Sequence, residues 1–118
     1  MSITRMHVSE RASKIVIHNG TVHLSGMVAE DPEAEIEGQT QSTLDRIDAA
    51  LAEAGTDREH LLSATIFLRD IDNHFHRMNE VWNAWVPDGQ APARACVEAH
   101  MARSALLVEI CIIAAIPD

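Results

Sequence analysis

The sequence offers little for crossing a membrane, building a disulfide framework or gripping a polyanion. Its longest apolar run, Ala105 to Ile116, is interrupted by Glu109 and is too short to span a bilayer. The N-terminal segment lacks the continuous apolar stretch of a secretory signal. A cytoplasmic protein without a membrane partner is the expectation. Only 2 cysteines occur, Cys96 and Cys111, and they lack CxxC spacing, which predicts reduced thiols rather than a zinc site or a redox pair. Basic residues are outnumbered 9 to 18, and the resulting net charge of −9 repels nucleic acid and anionic lipid alike. A glycine-rich phosphate loop, a GxSxG elbow and an HExxH helix are all missing, as are repeats, low-complexity tracts and linkers.

Apolar residues are present at an ordinary globular share, 47% of 118 residues, and a chain of this length buries roughly two-thirds of its unfolded surface. Residues 1–118 therefore read as a single domain. In SKIVIHNGTVHLSG, β-branched runs flank Asn19-Gly20, the pair that supplies positive φ at both central positions of a type I′ turn. The predicted register sets Val16 opposite His23 and His18 opposite Thr21, with Ile15, Ile17, Val22 and Leu24 on the buried face. Ile36, Thr40, Leu44, Ile47, Leu51 and Ala54 recur at steps of three and four, predicting an amphipathic helix that Gly55 ends as a C′ residue. LLSATIFL reads as a buried central strand. A second helix is expected from Asp72 as N-cap, with Phe75, Met78, Trp82 and Trp85 on its stripe, until Pro87 stops it and Asp88-Gly89 turns the chain.

Two final strands, Ala93 to His100 and about Ala105 to Ile116, are joined by a connection too short for a crossover, which predicts an antiparallel hairpin. The whole is an α+β fold with a sheet whose two helices cover one face. The other face is left bare, although the final strand is apolar on both sides, so self-association into a closed homo-oligomer is expected to cover it.

Arg94 stands in a strand of small and apolar neighbours, where its planar fork suits a carboxylate or phosphate. Glu109 is an acid inside LLVEICII, costly unless paired or used. A tight hairpin places the two directly opposite, either as a structural ion pair or as an anion-binding site with a carboxylate free to orient water. Cys96 and Cys111 alternate onto the faces of Arg94 and Glu109 respectively, but no histidine is fixed beside either thiol. The seven histidines show no metal-ligand spacing; His74 and His76 diverge on a helix, and His18 and His23 are diagonal neighbours without an acid. Trp82, Trp85 and Phe75 read as core rather than as a stacking platform.

Taken together, Ser25-Gly26 closing the hairpin, Ala64–Leu68 before Asp70, Met78–Trp82, Pro92–Glu98 and Val108-Glu109-Ile110 resemble the RidA (reactive intermediate deaminase, YjgF-type) family over essentially the whole chain. The resemblance implies a chorismate-mutase-like fold, a homotrimer with bare sheet faces around a central barrel, and ligand clefts between subunits. It further implies hydrolysis of small 2-enamino and 2-imino acids, such as 2-aminoacrylate and 2-iminopropionate, to the 2-oxo acid and ammonia, without metal or organic cofactor. Arg94 matches the family's carboxylate-binding arginine and Glu109 the acid that holds or activates water; Cys96, Asn79 and Ser25 complete the expected substrate-binding set. The chain departs from the family pattern in two places. SERASKIV stands where a Gly-Pro-Tyr-type segment is usual, and Met27 where glutamine is common. A non-catalytic carboxylate-binding protein and an endoribonuclease are the alternatives, the latter opposed by the charge.

Overall fold

The computed structural model describes residues 2–118; Met1 lies outside them. The chain runs β1 (Thr4–Val8), β2 (Ser13–His18), β3 (Thr21–Leu24), β4 (Met27–Val28), α1 (Ile36–Ala54), β5 (Leu61–Leu68), α2 (Ile71–Trp85), β6 (Ala93–Glu98) and β7 (Val108–Ala115). The strands form one mixed sheet in the order β1-β2-β3-β7-β5-β6, with β4 also paired to β7. Asn19 and Gly20 take φ of 52° and 76°, and the β2–β3 register is the one the dipeptide requires, with Ile15 opposite Leu24 and Val16 opposite His23. Ile15, Val22 and Leu24 join a core with Leu44, Ile47 and Leu51 of α1 and Met78, Trp82 and Trp85 of α2, so both helices share one face. Gly55, at φ 94°, ends α1: its N–H reaches Ala52 O while Thr56 N–H reaches Leu51 O.

Three expectations fail. The N-cap of α2 is Asp70, not Asp72: its carboxylate accepts from Asn73 N–H and from the Asn73 amide at 2.8 Å, which starts the first turn at Ile71. Phe75 is 42% exposed, and Ile71 packs against the core on that helix instead.

The third failure matters most. β6 and β7 do not pair, because β5 lies between them, parallel to β6 and antiparallel to β7. The connection 99–107 needs only to step over two strand spacings, about 10 Å, which that many residues reach easily. It arches over the end of β5, where Ala99 N–H bonds Leu68 O and Arg69 N–H bonds Leu107 O. β5, α2 and β6 thus form a strand–helix–strand crossover, with α2 long enough to return the chain to a parallel neighbour.

Candidate functional site

The inserted strand decides where the two unusual charges point. Arg94 is registered with Ala64, a buried residue on the helix face, whereas Glu109 is registered with Phe67 of β5 and Val28 of β4. Along β7, Val108, Ile110, Ile112 and Ala114 are buried on the helix side, and Glu109, Cys111 and Ile113 alternate onto the open side. Arg94 and Glu109 therefore emerge on opposite faces of one sheet. The expectation that they stand directly opposite and share a face is overturned, and with it the intrachain ion pair.

Around Arg94 the chain builds a cleft of about 450 Å³, lined by His76, Asn79, Glu80, Trp82, Asn83, Ala91, Pro92 and Arg94. Arg94 Nη1 donates to Asn79 Oδ1 at 2.7 Å, and its guanidinium carbon lies 5.6 Å from the Trp82 ring centroid, within cation–π reach. The guanidinium is exposed, forms no ion pair among the described residues, and keeps its remaining N–H groups for an anion. Asn79, expected as a substrate contact, is in this arrangement the group that steadies the arginine.

Sequence reasoning placed Trp82 in the core, and it is buried there, but its ring face also carries Arg94. His76, Glu80 and Asn83 were missed. Their signal was present, since 76, 79, 80 and 83 follow helical spacing down one face of α2.

Glu109 occupies a different setting. Gly26, between β3 and β4, faces it so closely that a Cβ on Gly26 would lie 2.9 Å from the Glu109 Cδ. The half-buried carboxylate makes no hydrogen bond to another described residue, which leaves its oxygens available to water. Ser25, the other expected contact on this side, spends its hydroxyl proton on Ser13 O at 2.7 Å and its N–H on Lys14 O at 3.0 Å.

The two thiols follow the alternation expected of them, Cys96 on the Arg94 face beside Ile66 and Cys111 on the Glu109 face beside Thr65. Burial pushes Cys96 upward against the pull of Arg94, and burial together with Glu109 pushes Cys111 upward. Both are poor nucleophiles at neutral pH. Among the described residues no group of three His, Cys, Asp or Glu could hold a metal ion, and no helix is long and apolar enough to cross a membrane.

A mixed sheet with both helices on one face, a tethered arginine over a tryptophan and a carboxylate seated against glycine define a class of small α+β proteins with a cleft that presents a guanidinium. The family model described as Endoribonuclease L-PSP matches residues 2–116. The RutC family protein YoaB of Escherichia coli K12 is 43% identical over 116 residues, covering 98% of this chain and 100% of that protein. Among solved structures, NMB1025 of Neisseria meningitidis, a member of the YjgF protein family, superposes with a TM-score of 0.95 at 47% identity, covering 100% of this chain and 98% of its own. YyfA of Yersinia pestis, from the conserved Rid protein family, does so with 0.84 at 32% identity, over 92% of this chain and 90% of its own. The chain belongs to this Endoribonuclease L-PSP family, the RidA/YjgF family.

Proposed function

We propose that the protein hydrolyses small 2-imino and 2-enamino acids to the 2-oxo acid and ammonia, in clefts shared between copies of a homotrimer. The observation that carries this reading is the opposed placement of Arg94 and Glu109, each free of a charged partner among the described residues: a second copy is what could bring the guanidinium of one chain to the carboxylate of another. In such a cleft Arg94 takes the substrate carboxylate through its unspent N–H groups, while Glu109 orients a water toward the C=N carbon. An enamine first becomes the imine by gaining a proton at Cβ and losing one from nitrogen. Water then attacks to form a carbinolamine, one of its protons passing to nitrogen; as the hydroxyl proton follows, the C–N bond breaks, ammonia leaves and the 2-oxo acid remains. An imine is already electrophilic, so positioning and one proton shuttle suffice. The bare sheet face, carrying Phe67, Val97, Cys111 and Ile113, is the surface the copies would bury around a central barrel.

The test generates 2-iminopropionate or 2-iminobutyrate in situ with an amino-acid oxidase, traps it with semicarbazide, and measures how far the protein suppresses the trapped product. Arg94→Ala should reduce suppression about ten- to a hundredfold, the scale of one charge-assisted contact. Equal suppression by wild type and variant sinks the catalytic assignment. A second reading, a binder of small carboxylates without fast turnover, draws on the absence of any tyrosine in the chain. It predicts stabilisation by 2-oxo acids that Arg94→Ala abolishes, with no change in imine lifetime. RNA cleavage is disfavoured by the net charge of −9.

A further inference from the structure

A second cavity, of about 300 Å³, lies between β2, the segment following β4, and α1, lined by Lys14, Glu30, Arg46, Ala49, Ala50 and Glu53. It shares no lining residue with the Arg94 cleft. On α1 the four contributors recur at i, i+3, i+4 and i+7, so a base and an acid stand at the two ends of a floor made by two alanines. Lys14, the sole lysine of the chain, and Glu30 add one charge of each sign.

Two cations and two carboxylates lining one small cavity would ordinarily pair off, yet no ion pair among the described residues joins Lys14 or Arg46 to Glu30 or Glu53. They are held apart by other bonds. Arg46 Nη1 donates to Val28 O at 3.0 Å, fixing the guanidinium at the wall. The Glu30 backbone N–H is tied to Ser42 Oγ at 3.0 Å. Glu53 Oε2 is bonded at 2.7 Å to Nε2 of His7, whose backbone sits at φ 54°, a conformation that residues other than glycine seldom adopt. Strain of this kind persists where the surrounding structure imposes it and gathers at binding sites.

We propose that this cavity binds a free α-amino acid as its zwitterion, the carboxylate against Lys14 and Arg46 and the ammonium against Glu30 and Glu53. The arrangement selects for both charges on one small molecule, because a bare anion meets two carboxylates and a bare cation meets two bases. The alanine floor accepts the ligand's Cβ. An amino acid so bound differs in chemistry from the ligand of the Arg94 cleft, which needs only an acid end. α-Amino acids are the class from which 2-imino acids arise by oxidation or β-elimination; that link alone rests on the proposed activity.

Titration calorimetry of the intact protein with each of the common L-amino acids tests the site, with the N-acetyl derivative and the amino alcohol of every binder as controls. At least one amino acid should bind saturably, and both controls should bind at least tenfold more weakly. Lys14→Met and Glu30→Gln, changes at side chains that make no hydrogen bond or ion pair with another described residue, should each weaken binding tenfold or more, whereas Lys14→Arg keeps it within a few-fold. Arg94→Ala should leave the affinity within twofold. Absence of binding across the set, equal binding of the N-acetyl forms, or loss of binding in Arg94→Ala overturns the proposal. None of these readouts involves turnover, so failure here leaves the proposed activity untouched, and failure of that activity leaves this site standing.

Discussion

At Arg94 one N–H is given to Asn79 and the cation rests near the Trp82 ring, so two neighbours set its direction before any ligand arrives. Asn79→Ala removes a hydrogen bond that orients the guanidinium without itself touching the ligand, and should weaken binding of a small 2-oxo acid about three- to tenfold, measured by calorimetry, with the secondary structure unchanged in circular dichroism. Unaltered affinity would mean that Asn79 positions nothing. The thiols make a separate prediction. Because burial raises both Cys96 and Cys111 above the ordinary value of 9.0, iodoacetamide at pH 8 should alkylate them more slowly than it does free cysteine; an equal rate contradicts the structure.

Both strand charges were legible in the sequence, since Arg94 among alanines and Glu109 within LLVEICII are conspicuous. Their partners were not. Asn79 and Trp82 lie on a helix whose placement over β6 depends on the crossover, and a lone glycine such as Gly26 gives no sign of which side chain it makes room for.

Among the elements, those ruled by local chemistry could be read directly: the Asn19-Gly20 hairpin, α1 with its glycine stop, and β5 as an inner strand. Strand pairing depends on contacts distant in sequence, and there a short connection suggested a hairpin that β5 in fact interrupts. The strand–helix–strand pattern over 61–98 was the available clue to a parallel neighbour. Gln39 joins these distant parts. Fully buried, it donates through Nε2 to Pro32 O, Ala34 O and Ala105 O at 3.0–3.2 Å and accepts from Leu107 N–H at 2.9 Å, tying the start of α1 to the arch that follows β6. Gln39→Leu leaves those backbone groups unpaired and should cost about 2–4 kcal/mol in urea unfolding.

The helices are also joined by Arg77, which reaches Glu37 at 2.7 Å and Glu35 at 3.2 Å. The hydrogen bond from Arg77 holds the Glu37 carboxyl below its ordinary value of 4.5. A depressed carboxylate contributes stability above that ordinary value and loses it as pH falls through the lower folded-state value. Arg77→Met should therefore flatten the acid limb of the stability curve while changing little at pH 7 and high salt, where an exposed pair is screened.

For the molecule as a whole, the proposed shared cleft makes a strict demand. Arg94→Ala and Glu109→Gln proteins, each impaired alone, should regain full activity at about a quarter of the sites after mixed refolding, because random assembly returns both intact residues to some clefts. No recovery would place each site within one chain. With a net charge of −9 on every copy, the proposed assembly would work against its own repulsion, so light scattering should show tighter association in added salt.

The position of β7 has a consequence for how the protein is made. It is the strand that joins β3 and β4 to β5; without it the sheet falls into two ribbons, and the core loses Val108, Ile110, Ile112 and Ala114 from its middle. A nascent polypeptide must therefore wait until Val108–Ala115 has left the ribosome before either helix finds a continuous surface, and a version truncated after Leu107 should unfold without a cooperative transition.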